Sequence, residues 1–270
     1  MSRSEPVTLV TGASSGLGAA LAREFARRGH ALALTARREA KLAALADEIA
    51  KAGHARPVLI AADLGAREGT AQLADALQAQ GLEPAWVVNV AGFGLLGPAD
   101  QIGRDLQLGM IDLNVRAVTD LSLRFLDSVT RQRGGLLNVA SIAAFMPAPG
   151  MAVYHASKAY ILSFTEALHQ ELKSSGVRVC ALCPGPVETE FFGVAGMPDT
   201  YYPWYLTRSA RRVAREGYEG LMRGERVVIP GGHNRIVTFL PRLLPRGFVV
   251  RGGLWRWQRK LPHRARTPHD

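Results

Sequence analysis

Tyr154 and Lys158 stand four residues apart in the run VYHASKAY, and Ser141 precedes them in NVASIAAF. On a helix, positions i and i+4 share a face, so a phenol and an ammonium project together. The ammonium favours phenolate and lowers the phenol's pKa. That makes a proton donor and acceptor usable near neutral pH. A serine hydroxyl opposite can hold a carbonyl oxygen in place. Tyr-x-x-x-Lys also occurs as an ordinary solvated helix face, so its weight depends on the elements around it.

The chain opens with SEPVTLVTGASSGLGAALAREFARRGHALALTARREAKL. An apolar run from Val7 to Val10 has strand character; Gly12, Gly16 and Gly18 follow, then a segment of helical period. Strand, glycine turn and helix together suit a dinucleotide. Glycines permit a tight turn and close backbone approach, and the helix N-terminus receives a diphosphate. Glycine turns also serve as plain connections; the position at the first strand–helix junction favours the binding role.

The second strand, HALALTARR, ends at Ala36 and is followed by Arg37 and Arg38. NAD sites often place a carboxylate there for the ribose 2′-hydroxyl. A guanidinium suits the 2′-phosphate of NADP instead. The alternative is that both arginines open a solvated helix. Asp63, ending PVLIAAD, could accept from an adenine amino group, cap a helix, or do both.

Strands are expected near 7–11, 31–36, 57–62, 85–90, 134–140, 177–183 and 226–229, with helices between them. This alternation predicts an α/β fold: one doubly wound Rossmann-type domain with a parallel seven-stranded sheet. A chain of 270 residues is long enough for its core. The expected organisation is a catalytic domain over 1–230 and a basic, apolar C-terminal extension of it over 231–270.

With these pieces assembled, the chain resembles the classical short-chain dehydrogenase/reductase family. The resemblance rests on TGASSGLG (Thr11 to Gly18), Asp63, NVAG (Asn89 to Gly92), Asn114 in DLNVRA, Ser141, Tyr154, Lys158 and PGPVET (Pro184 to Thr189), in the family's order, over about residues 6 to 230. It implies an NADP(H)-dependent oxidoreductase that reduces a ketone or aldehyde, or oxidises the alcohol. Tyr154 would be the general acid and base. Lys158 would lower its pKa and hold the nicotinamide ribose. Ser141 would position the substrate oxygen, and Asn114 would hold a water extending the proton path. The implied cofactor contacts are Gly12, Ser14, Ser15, Gly16, Leu17, Gly18, Arg37, Arg38, Asp63, Leu64, Asn89, Ala91, Gly92, Tyr154, Lys158, Pro184, Gly185, Val187 and Thr189. Asn89 would also support the central strands. No metal is expected. The other class of function is an NADPH-binding sensor or partner-binding protein without turnover.

One departure is Val90, where the family usually has a second asparagine; a packing role is expected for it. His155 should point about 100° around the helix from Tyr154 and reads as a cleft-wall or surface side chain. The segment after PGPVET holds Phe191, Phe192, Met197, Tyr201, Tyr202, Trp204 and Tyr205. In the resembling family this region forms a mobile lid, and an aromatic lid suits an apolar or ring-bearing substrate; ordinary lid packing is the alternative.

Cys180 and Cys183 form C-x-x-C, but an odd spacing on a strand points them to opposite faces, so they read as core thiols. That agrees with a reducing, cytoplasmic setting. The first strand is expected within ten residues of Met1, so no signal peptide is expected, and no apolar run approaches a membrane span.

The net charge of +10 is uneven: residues 208 to 270 hold 15 Arg or Lys against 4 Asp or Glu. Such asymmetry points to an anionic partner. If the start of the tail is helical, Ile236, Phe239, Leu240, Leu243 and Leu244 share a side, with Arg235, Arg242 and Arg246 beside them. Pro241 and Pro245 argue against one straight helix, and Trp255 and Trp257 sit among arginines. Three roles stay open: a wall of the cleft, contact with an anionic membrane surface, or an oligomer interface. Nucleic acid is not expected, since no reading module is present. The resemblance favours a homodimer or homotetramer.

Overall fold

The computed structural model describes residues 4–198 and 206–260, with residues 254–260 described only as helix. Nine strands are found in this part: β1 (Glu5–Thr11), β2 (Leu32–Ala36), β3 (Val58–Ala61), β4 (Leu82–Asn89), β5 (Gly135–Val139), β6 (Arg178–Leu182), β7 (Val187–Glu188), β8 (Arg208–Ser209) and β9 (Val227–Val228). The helices are α1 (Gly16–Arg27), α2 (Glu39–Lys51), α3 (Gly69–Ala79), α4 (Arg104–Ile111), α5 (Val118–Arg124), α6 (Leu126–Arg131), α7 (Ala152–Glu171), α8 (Phe191–Val194), α9 (Ala210–Met222), α10 (Gly232–Phe239) and α11 (Arg246–Lys260).

Seven strands form one parallel sheet in the order β3-β2-β1-β4-β5-β6-β9, as expected for a doubly wound fold. The small pair β7–β8 stands apart from it. The central strands read as continuous apolar runs because both faces of the sheet are covered by helices. Alternate side chains feed two cores. Val10, Val88 and Leu137 join α1, α2 and α9 on one face, while Leu9, Val87 and Leu136 join α3, α5 and α6 on the other. Cys180 and Cys183 enter different clusters, and burial pushes both thiols up, Cys183 to about 12.

The strand order reverses beside β1, since β2 lies on one side of it and β4 on the other. The crevice at the carboxyl ends of such strands is where ligands bind in open α/β sheets. Two buried polar devices hold those ends together. Thr11 Oγ1 accepts from the backbone N–H of Val90 (3.0 Å) and of Ala91 (3.1 Å), tying the end of β1 to the segment after β4. Asn89 donates to Asn138 Oδ1 (2.9 Å) and Ser122 Oγ (3.2 Å), and Asn138 donates to Thr165 Oγ1 (3.1 Å). This chain links β4 and β5 to α5 and α7.

The prolines of the tail break it as anticipated. Helix α10 ends at Phe239, a 3-10 turn covers Leu240–Arg242, and α11 restarts at Arg246.

Candidate active site

A cavity of about 670 Å³ opens at the strand reversal, running from the glycine turn to the start of α7. Its glycine end is shaped by missing side chains. A Cβ on Gly18 would lie 2.2 Å from the Gly12 carbonyl oxygen, and one on Gly12 would lie 2.9 Å from the Ala91 backbone. Gly12 (φ 65°) and Gly16 (φ 53°) also adopt the left-handed conformation, which costs a side chain dearly. Helix α1 starts at Gly16 with no side chain capping its first N–H groups. Those donors are left for a ligand.

Both arginines after β2 line the same cavity. Arg38 donates to Ser15 Oγ (2.7 Å), Ser14 Oγ (3.1 Å) and Glu190 Oε2 (2.8 Å). Lys41 donates to Glu190 Oε1 (2.7 Å). Hydrogen bonds from Lys41 and Arg38 pull the Glu190 carboxyl down to about 2. An anion-binding cluster of two hydroxyls, a guanidinium and an ammonium thus sits beside the glycine turn, with Glu190 as its present anion. Asp63 also lines the cavity. It does not cap a helix: its Oδ1 accepts from Gly65 N–H (3.0 Å), and α3 starts only at Gly69, because residues 64–68 form a turn first.

At the other end, Tyr154 and Lys158 sit on one face of α7 and are both buried. The Lys158 ammonium lies 5.9 Å from the Tyr154 ring centre and donates to the Val139 carbonyl (2.8 Å). Burial lowers its pKa to about 8, so most of it remains charged at neutral pH. Ser141 follows β5 and caps a 3-10 turn at Ile142–Phe145, its Oγ accepting from Ala143 N–H (3.1 Å). The hydroxyl proton stays available to donate into the cavity that Ser141 lines.

Asn114 lies on a π-helical turn at Asp112–Ala117 between α4 and α5. Such turns often occur at functional sites. Its amide accepts from Phe93 N–H (3.0 Å) and donates to the Phe93 carbonyl (2.9 Å) and Ser157 Oγ (3.1 Å). Gly92 makes room for it, since a Cβ there would lie 2.8 Å from Asn114 Oδ1 and 3.5 Å from Lys158 Nζ.

The structure brings Gly12, Ser14, Ser15, Gly16, Leu17, Gly18, Arg37, Arg38, Asp63, Leu64, Ala91, Gly92, Ser141, Tyr154, Lys158, Pro184, Gly185, Val187 and Thr189 to one cavity. Asn89 and Asn114 stand behind its wall, fully buried. Val90 packs against the core. His155 is a cleft-wall residue whose Nδ1 meets the Met146 carbonyl (2.7 Å), and burial lowers its pKa. Phe191, Phe192 and Met197 line the cavity, and Phe191 lies 5.5 Å from Tyr154, ring centre to ring centre. Tyr201, Tyr202, Trp204 and Tyr205 lie outside the described residues, as do the side chains of Trp255 and Trp257. Sequence reasoning placed Thr11 in its glycine motif but missed the tie it makes to Val90 and Ala91; it also missed Glu190 and the Asn138–Thr165 link, since an acid after Thr189 carries no motif. Among the described residues no group of three or more His, Cys, Asp or Glu could hold a metal ion.

The tail reaches the site as well: Val237, Val249, Gly252 and Gly253 line the cavity. Gly253 packs so closely that a Cβ there would lie 3.2 Å from Pro149 Cδ.

The sheet reversal, the glycine cradle and the Tyr–Lys face define an α/β oxidoreductase with a nicotinamide dinucleotide site. The chain belongs to the short chain dehydrogenase family, whose model matches residues 6–196. It is 36% identical over 239 residues to an uncharacterized oxidoreductase of Myxococcus xanthus, covering 88% of this chain and 92% of that protein. Among solved structures it is similar to a short-chain dehydrogenase from Sphingobium yanoikuyae in complex with NADPH, at 30% identity and a TM-score of 0.78, covering 98% of this chain and 99% of that one. It is also similar to the bulky-bulky ketone specific alcohol dehydrogenase from Comamonas testosteroni, at 26% identity and a TM-score of 0.74, covering 99% of this chain and 98% of that one.

Proposed function

We propose that the protein reduces an apolar ketone or aldehyde with NADPH, or oxidises the corresponding alcohol, with Tyr154 as the general acid and base. The observation that carries this reading is the buried Tyr154–Lys158 pair facing one cavity with Ser141. NADPH, when bound, supplies the hydride. Tyr154 gives its phenolic proton to the oxygen of the substrate carbonyl. The neighbouring ammonium of Lys158 stabilises the phenolate that remains. The Ser141 hydroxyl donates to the same substrate oxygen and holds it in place. Phe93, held by Asn114, and Phe191 keep water from the reacting end.

NADPH rather than NADH is favoured by the cluster of Arg38, Lys41, Ser14 and Ser15, which matches a 2′-phosphate in charge and donor count. The Sphingobium protein's complex with NADPH supports the same choice. An apolar substrate is favoured by the side chains near Tyr154: Met110, Met151, Met197, Phe191 and Phe192 cluster around it. The ketone specificity in the name of the Comamonas enzyme agrees with this class.

A panel of apolar ketones and aldehydes, assayed with NADPH and NADH on wild type and Tyr154→Phe, tests the reading. Carbonyl-dependent NADPH oxidation by the wild type alone, with NADPH binding kept in the variant, is the expected result. Turnover that survives Tyr154→Phe sinks the mechanism. Tight NADPH binding with no turnover on any carbonyl favours a sensor.

A further inference from the structure

Helix α10 and the turn after it are built inside out. Two polar side chains of α10 face inward: Asn234 is 1% exposed and Thr238 is 2%. Asn234 is held there by donating to the Pro230 carbonyl (2.6 Å), and Thr238 donates to the Arg235 carbonyl (3.0 Å). The large apolar side chains face outward: Ile236 is 68% exposed, Phe239 57%, Leu240 52%, Leu243 66%, Leu244 45% and Phe248 66%. A soluble surface helix normally shows the reverse. A contiguous apolar patch of this kind marks an interaction surface.

The patch is also strongly cationic. Arg235, Arg242, Arg246 and Arg251 are all exposed around it. No Asp or Glu occurs from residue 226 to residue 269. This charge decides between occupants. A second copy of the chain pairing through the same face would set arginines against arginines with no carboxylate to neutralise them. An anionic lipid surface supplies both the apolar phase and the opposite charge. Among the described residues no helix is long and apolar enough to cross a membrane, so contact would be at the surface.

We propose that the face formed by α10, the Leu240–Arg242 turn and the start of α11 is a docking surface for an anionic phospholipid membrane. The apolar side chains enter the acyl boundary while the arginines meet lipid phosphates. Val237 is exposed beside this face and lines the cavity, so docking turns the tail-side wall of the cavity toward the bilayer. Delivery of an apolar substrate by that route rests on the proposed function; docking itself does not.

Sedimentation of the full-length protein with vesicles tests this, using phosphatidylcholine alone and phosphatidylcholine with phosphatidylglycerol. The triple variant Phe239→Ser, Leu243→Ser, Phe248→Ser runs beside the wild type. These side chains are exposed and outside the cavity, so melting and turnover on a water-soluble carbonyl should be unchanged. The wild type should pellet with anionic vesicles at least about tenfold more strongly than with neutral ones and be largely released by about 0.5 M salt. The variant should lose about tenfold in partitioning. Equal pelleting of variant and wild type overturns the proposal. So does a wild type that ignores both vesicles; if it is also a dimer that the variant breaks, the face is a self-interface. A protein that docks but turns over no carbonyl would leave this inference standing and remove the proposed function.

Discussion

The two ends of the cavity are held by opposite means. At the glycine-turn end, the cationic groups are exposed and tied to one another: Arg38 and Glu190 are each about half exposed, joined across the mouth of the site. At the Tyr154 end, the polar groups are buried and tied to backbone: Lys158 to Val139, Ser141 to Ala143, Asn114 to Phe93. Exposed ion pairs contribute little and rearrange readily. Buried groups tied to backbone are positioned before substrate arrives. The first end can therefore yield to a phosphate, whereas the second presents a fixed constellation.

The contrast implies that substitutions at the buried end change chemistry and those at the exposed end change binding. Tyr154→Phe carries the largest expected effect: kcat falls by about 10²–10⁴-fold, the usual contribution of a positioned acid or base. The NADPH dissociation constant, measured by fluorescence titration, stays within about twofold. A loss of binding of equal size would erase the distinction between the ends.

Lys158 sharpens it through pH. Burial lowers its pKa from 10.5 to about 8. Between those values the unfolded chain keeps a proton that the folded chain has released, so stability rises with pH across the window. Below it the buried charge costs the fold. Lys158→Met should therefore abolish turnover yet stabilise the protein at pH 7, by on the order of 3 kcal/mol at most. The gain should shrink as pH rises from 8 toward 10.5. Denaturant unfolding at several pH values checks this, and a destabilised variant at pH 7 would show that the ammonium's bonds outweigh its burial. In wild type, kcat for reduction should decline as pH rises through about 8, when the ammonium beside the phenol is lost.

Effects at the exposed end should be smaller and cofactor-specific. Arg38→Ala should weaken NADPH binding by about 10–100-fold, as expected for lost hydrogen bonds to a charged group, and leave NADH binding unchanged. Equal losses for both cofactors would mean that Arg38 only braces the Ser14–Ser15 turn. Glu190→Gln should act in the opposite direction. It removes the carboxylate that now occupies Arg38 and Lys41, so NADPH affinity should rise by about two- to fivefold, the scale of an exposed ion pair. A weaker affinity would show that Glu190 clasps the bound cofactor instead of competing with it.

Much of this was legible in the sequence, for local reasons. Strand runs of 4–8 apolar residues fall where expected because strands buried on both faces must be apolar throughout. The Tyr154–Lys158 face follows from helical pitch alone. Gly12, Gly16 and Gly18 announced a turn because glycine tolerates what other residues do not. The Thr11 tie to Val90 and Ala91 was not legible, since it spans 79 and 80 residues and the motif at each end does not say which atoms of the other it meets. The helix-cap alternative for Asp63 fails because a turn at Gly65 intervenes before α3 begins at Gly69. The pairing of Arg38 with Glu190, 152 residues away, depends on how the chain after β6 returns over the glycine turn.

The tail shows the division most clearly. Composition alone determined that it is cationic, apolar and broken at Pro241 and Pro245, because charge and proline act locally. Periodicity placed Ile236, Phe239 and Leu240 on one side of a helix. Only the tertiary structure decided which side faces the protein. Asn234 fits against Gly185, where a Cβ would lie 2.5 Å from its amide, and it bonds to Pro230. That anchoring turns the apolar side outward. A helical pattern fixes relative directions around an axis, but the rotation of that axis is set by the contacts it meets.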